Sequence, residues 1–161
     1  MHLICALVEY EIVRLTVYTD FSLRLLMYLA VKPDGISTIG EVADAYRIPK
    51  NHLTKVAHQL GLAGYITTVR GKGGGMRLGQ PADQIVVGQV VRGTEPDMAL
   101  VPCFEPVCAS CPIIPACGLR GALHKARSAF LQVLDGYTLA DLAANATDLQ
   151  ALLGIPTPTG F

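Results

Sequence analysis

The stretch that most constrains this chain runs from Lys50 to Gly79. It reads as a helix, a glycine stop, a short strand, a glycine-rich tip and a second strand. Leu53, Val56, Ala57 and Leu60 recur at helical spacing, and Gly61 and Gly64 close the run. Tyr65-Ile66-Thr67-Thr68-Val69 and Met76-Arg77-Leu78 are rich in strand formers, with Arg70-Gly71-Lys72-Gly73-Gly74-Gly75 between them. Glycine reaches positive φ at little steric cost, so this pattern predicts a β-hairpin. Upstream, Ser37 or Thr38 can cap a short helix carrying Ile39, Val42, Ala43 and Tyr46, and Glu41 follows Thr38 by three as in a capping box. Arg47-Ile48-Pro49 then breaks the chain before Lys50. Two helices joined by a tight turn form a helix-turn-helix, and a hairpin placed directly after them is a wing. The glycine run lacks both the Gly-Lys-Ser/Thr ending of a phosphate loop and a dinucleotide-fold context, which argues against a nucleotide site.

Charge sharpens this reading. The formal net charge is zero, yet residues 47–77 carry six basic side chains and no acid. The other 130 residues hold seven basic groups and all thirteen acids. A neutral protein with one positive segment suits a partner that is anionic only at that surface, although a solvated face alone would give the same pattern. Early residues of a recognition helix meet base edges, where Asn can pair with adenine and Lys with guanine. The expected double-stranded DNA contacts are therefore Lys50, Asn51, His52 and Lys55 on the helix, with Arg70, Lys72 and Arg77 on the wing. Helix-turn-helix folds also bind proteins, but 31 residues without an acid favour DNA.

Before this unit, Phe21 to Val31 is helix-like, with Leu25, Leu26 and Leu29 at helical spacing and Thr19 or Asp20 placed as its N-cap. Lys32-Pro33-Asp34-Gly35 stops it. After the wing, Ile85-Val86-Val87 opens a strand or a short helix through Val90 and Val91. From Gly118 a long helix carries Leu119, Leu123, Ala126, Phe130 and Val133 at spacings of four, three, four and three. That seam of two heptads can pair with a copy of itself, or pack within one chain. The predicted fold class is mainly α with a small β-hairpin wing: a winged helix-turn-helix domain over 14–97, a cysteine loop over 98–118, and a dimerisation helix plus a short C-terminal helix over 119–146. Residues 147–161 are expected to be a flexible tail. Residues 1–13 are expected to be a non-native extension, because GTG can serve as an initiation codon at Val13 and the first residues continue no helix. The chain is expected to be cytoplasmic: no apolar run approaches the roughly 18 residues of a membrane span, and Met1 to Val8 has neither basic leader nor cleavage site.

Four of the five cysteines crowd into Cys103-x4-Cys108-x2-Cys111-x5-Cys117. Cys5 stands alone. Without a secretory leader, that density points to a metal site more than to disulfides. Thiolates are the soft ligands that zinc and iron–sulfur clusters take. Structural zinc uses separate paired Cys-x2-4-Cys knuckles, whereas the two spacings here that fit, Cys103-x4-Cys108 and Cys108-x2-Cys111, share Cys108 and leave Cys117 apart. A wide loop punctuated by Pro102, Pro106, Pro112 and Pro115 suits a cluster better than one ion, and zinc stays as the alternative. No nucleophile–base, flavin or nucleotide signature points to an enzyme or electron carrier.

From Arg14 to Ala143 the chain resembles the bacterial winged-helix iron–sulfur transcription repressors. The likeness rests on Arg14-Leu15-Thr16-Val17-Tyr18-Thr19-Asp20, Lys50-Asn51-His52-Leu53, Val69-Arg70-Gly71-Lys72-Gly73-Gly74-Gly75-Met76-Arg77-Leu78-Gly79, Cys111-Pro112-Ile113-Ile114-Pro115-Ala116-Cys117 and Tyr137-Thr138-Leu139-Ala140-Asp141-Leu142. It is closer to the nitric-oxide-sensing members than to the regulators of cluster assembly. The resemblance implies a homodimeric repressor that binds operator DNA with an intact iron–sulfur cluster, 2Fe–2S or 4Fe–4S, and is released when nitric oxide nitrosylates it. It implies three cysteine ligands, of which Cys111 and Cys117 match the last two. Cys103 is favoured as the first over Cys108, whose short gap leaves less loop to reach around a cluster. Asp20 from the other subunit is the implied oxygen ligand, a role that Cys108 would displace if it were a fourth thiolate. An iron–sulfur-status or redox regulator is the alternative within the same class.

Overall fold

In the computed structural model, which describes residues 14–104 and 111–156, helix α1 (Val17–Val31) opens at Thr16. The expected caps, Thr19 and Asp20, lie inside its first turn. Thr16 Oγ1 accepts the Thr19 N–H at 3.2 Å. The Glu95 carboxylate in turn accepts the Thr16 N–H at 2.8 Å, across 79 residues of chain. Thr19 is fully buried, its hydroxyl donating to Thr94 Oγ1 at 2.9 Å. The apolar periodicity starts only at Phe21, so the one local mark of this extra turn is the Thr16 cap itself.

Helix α2 (Ile39–Tyr46) begins in the predicted capping box: Thr38 Oγ1 accepts the Glu41 N–H at 3.2 Å and Glu41 Oε2 accepts the Thr38 N–H at 2.7 Å. Lys32 Nζ reaches Glu41 Oε1 at 2.6 Å, tying the end of α1 to the start of α2. Burial pushes the Glu41 carboxyl up, but hydrogen bonds from Lys32, Thr38 and Ser37 outweigh it and hold the group at about 2. A depressed carboxyl contributes stability that is full above its ordinary value of 4.5 and lost as the pH falls towards about 2. Glu41→Gln should therefore melt with a flatter dependence on pH between 5 and 3 than the native protein. With 43% of this side chain exposed, solvent screening keeps the difference within about 1 kcal/mol. Equal acid slopes in thermal melts of the two proteins would assign the loss to other carboxylates.

Helix α3 (Lys50–Leu62) packs on α1 and α2 through Leu53, Val56, Ala57 and Leu60, each at most 9% exposed. These are the four positions that the spacing placed inward. The core joins them to Leu25, Leu26 and Leu29 of α1, Val42 of α2, and Ile85 and Val90 beyond the wing. Strands β1 (Ile66–Val69) and β2 (Gly75–Leu78) form the antiparallel hairpin, with Val69 opposite Gly75 and Ile66 opposite Leu78. Gly71 and Gly73 at its tip adopt φ of 99° and 78°, which L side chains rarely reach. The hairpin is also bonded to the α1–α2 connection, as Ser37 and Met76 exchange both backbone hydrogen bonds at 2.9 and 2.7 Å. Gly75 allows this approach: a Cβ there would fall 2.5 Å from the Ser37 carbonyl oxygen.

Helix α4 (Val87–Thr94) follows, so Ile85-Val86-Val87 opens a helix rather than a strand. After the cysteine segment come α5 (Gly118–Asp135), α6 (Leu139–Leu142) and α7 (Ala146–Leu152). The region expected to be a flexible tail is helical through Leu152, and α6 is not the last helix. Ile155 is 4% exposed in the core, and Gln150 Nε2 donates to the Val31 carbonyl at 2.6 Å. The core of the winged unit therefore does not end at residue 97, because Leu139 and Ile155 return to it from the C-terminal side. Arg92 grips Asp135 through two contacts of 2.5 and 2.7 Å, fastening the end of α5 to α4. Residues 1–13, Cys108 with its neighbours, and 157–161 lie outside the described residues. Among the described residues no helix is long and apolar enough to cross a membrane.

Candidate functional site

Because Leu53, Val56 and Leu60 turn α3 inward, its other face is left to solvent. Lys50, Asn51, His52 and Lys55 are all exposed there, as are Arg70 and Lys72 at the wing tip and Arg77 on β2. The structure thus sets all seven expected side chains on the surface of two adjoining elements. They are not equally free. The His52 ring meets the Phe21 ring edge-on at 6.1 Å, which ties it to α1. Lys50 Nζ lies back over the first turn of α2, 3.5 Å from where a Cβ on Gly40 would be. Arg77 Nε donates to Thr67 Oγ1 across the hairpin at 3.4 Å.

Two exposed groups beside this surface were not singled out. His58 follows Asn51 and Lys55 at helical spacing, which was a usable signal. Arg47, in the turn between α2 and α3, is the one described non-glycine residue at positive φ, 56°. Its conformation had no local sequence mark.

The cysteine segment sits between α4 and α5. Cys103 and Cys117 are half-buried, Cys111 is exposed, and all three are free thiols. Cys117 is the N-cap of α5, its Sγ accepting the Arg120 N–H at 3.4 Å. Asp20 is engaged elsewhere: its carboxylate pairs with Arg24, one turn along α1, at 2.9 Å. Among the described residues no three His, Cys, Asp or Glu side chains converge tightly enough for a single metal ion. The donor chemistry nevertheless suits a thiolate-held iron–sulfur group: the thiols are unpaired, and one stands at the positive end of an 18-residue helix. Three residues further along α5, Arg120 Nε is buried without a hydrogen-bond partner among the described residues, a polar group that an anion could satisfy.

A winged helix-turn-helix with a basic, exposed recognition helix defines a class, the winged-helix transcription regulators. The comparisons narrow it: the model of the Rrf2 family, described as iron-dependent transcriptional regulators, matches residues 15–145, and this chain belongs to that family. It is 50% identical over 145 residues to the HTH-type transcriptional regulator NsrR of Shouchella clausii, covering 89% of this chain and 97% of that one. Its fold is similar to that of CymR, the global cysteine regulator of B. subtilis, with a TM-score of 0.68 at 25% identity over 83% of this chain and 98% of the other. T. potens IscR shares the fold at a TM-score of 0.68 and 21% identity, over 85% and 90% of the two chains.

Proposed function

We propose that this protein is a cytoplasmic, iron–sulfur-dependent transcriptional repressor that binds operator DNA as a homodimer and responds to nitric oxide. The observation that carries the DNA reading is the exposed basic surface of α3 and the wing tip, within a segment free of acids. In this reading Lys50, Asn51 and Lys55 enter a major groove, while Arg70 and Lys72 grip phosphates at its flank. Cys103, Cys111 and Cys117 would hold the iron–sulfur group, with Asp20 of the partner subunit as a fourth ligand or Cys108 in its place. That group, when bound, supplies iron with which nitric oxide reacts. The family description and the resemblance to nitric-oxide-sensing repressors support this assignment. The chain's own part is mechanical: thiols on the segment between α4 and α5 tie ligand occupancy to helices packed against the winged unit.

Two substitutions separate positioning from base readout. Arg70→Ala should lower affinity for all sequences alike and reduce the slope of log affinity against log salt by about one. Lys50→Ala should cost about 1–3 kcal/mol at the cognate operator and less on unrelated DNA. Binding isotherms at several salt concentrations read both effects, and unchanged isotherms for both variants would remove the groove assignment. Purification without oxygen tests the cofactor. A brown protein with iron and sulfide agrees with the proposal, whereas a colourless one with stoichiometric zinc would make it a zinc-stabilised DNA-binding protein.

A further inference from the structure

Helix α5 presents two distinct faces. Leu119, Ala126, Phe130 and Val133 are exposed along one. Roughly a third of a turn round the axis, Arg120, His124 and Arg127 form a second stripe at spacings of four and three, and all are partly buried. Two described parts of the cysteine segment, Phe104 and Cys117, meet this second stripe. Phe104, next to Cys103, stacks on His124 with ring centroids 4.0 Å apart and planes 27° from parallel. The Arg127 guanidinium lies over that Phe104 ring, 5.0 Å from its centroid, and Arg127 Nη2 is 3.3 Å from His124 Nδ1. One turn nearer the start of the helix, the Arg120 N–H donates to Cys117 Sγ, and the buried Arg120 Nε has no partner among the described residues. Cys103 and Cys117 are thus mounted on one cationic stripe, the first through Phe104 and the second through the helix cap.

We infer that this stripe is the electrostatic bed of the cysteine-held group, and that Arg120 is a positioning residue that balances its negative charge. The inference rests on the proposed role of Cys103, Cys111 and Cys117 as ligands. Three thiolates, two of them half-buried, would bring negative charge to the start of α5, and the buried guanidinium N–H of Arg120, one turn into that helix, is costly to leave unpaired until an anion faces it. Hydrogen bonds and charge around ligating sulfurs set both the retention of such a group and its potential. The Phe104 stack does the geometric part, holding Cys103 at a set place along α5 relative to Cys117.

The test compares native protein, Arg120→Gln, Arg120→Lys and Cys117→Ala, all purified without oxygen. It reads iron and sulfide content, the rate of iron transfer to a ferrous chelator, the midpoint potential, and thermal melts of the metal-free forms. Arg120→Gln should take up the group but release iron about 10–100-fold faster, with a more negative potential. Arg120→Lys should bring the release rate back to within a few-fold of the native value, and the metal-free forms should melt together. Release rate and potential in Arg120→Gln equal to the native ones, beside an empty Cys117→Ala, would overturn the inference and leave the ligand reading standing. Faster release with a lowered metal-free melt and no rescue by lysine would overturn it too, as a packing defect. Native protein without iron and sulfide, or Cys117→Ala that keeps both, would overturn the ligand reading and the inference with it.

Discussion

Cys117→Ser is expected to abolish the iron–sulfur group while leaving the metal-free fold intact. Serine is a strong N-cap, so its hydroxyl can accept the Arg120 N–H that Cys117 Sγ accepts now. It is a poor substitute for a soft thiolate ligand. Cys117→Ala removes both functions, and its metal-free form should lose about 1 kcal/mol more than the serine variant through the missing cap. The proposed set of three protein thiolates per subunit has no spare, so Cys103→Ala and Cys111→Ala should also lose the group. Operator affinity should then fall towards the non-specific level, on the order of a thousandfold. Cys108→Ala should keep most of its iron and sulfide, and Asp20→Ala should hold the group loosely. Metal analysis of anaerobic preparations, beside operator titrations, decides the set. Cys108→Ala without iron, next to Cys103→Ala that retains it, would exchange the first ligand.

The second large effect is expected at the exposed seam of α5. Phe130 is 43% and Val133 61% exposed, while Leu119 at the far end is 67% exposed. Apolar surface in such a line along one helix is what a second copy would cover. Phe130→Asp places a charge in the middle of that contact, where an unpaired carboxylate is costly to bury. The variant should sediment as a monomer at concentrations where the native protein forms the proposed homodimer. Two recognition helices linked in one particle gain effective concentration at paired half-sites, so operator affinity should drop on the order of 10²–10⁴-fold. Its thermal melt should change little beyond the loss of the contact, since Phe130 lies outside the buried core. A Phe130→Asp protein that still sediments as a dimer would move the interface off this face.

The features legible from sequence were those whose causes are local. The inward face of α3 followed from 3.6-residue periodicity, the start of α2 from Thr38 and Glu41 three residues apart, and the wing from glycines at its tip. Local hydrogen bonds and local burial leave a mark at short spacing, and the seven expected DNA-facing side chains inherit their exposure from those elements. Distant partners decided the rest. Helix α1 starts four residues before its apolar pattern, where the Thr16 cap is held by Glu95 and Thr19 by Thr94. Ile155 is core because the chain folds back after α6, and Ser37 joins the wing because Gly75 permits the approach. The stripe of Arg120, His124 and Arg127 could be read from spacing as a solvated basic face; only the docking of Phe104 shows it to be a surface that another part of the chain covers. A contact between residues far apart in sequence imposes no period on either segment, so its identity resides in the packed structure alone.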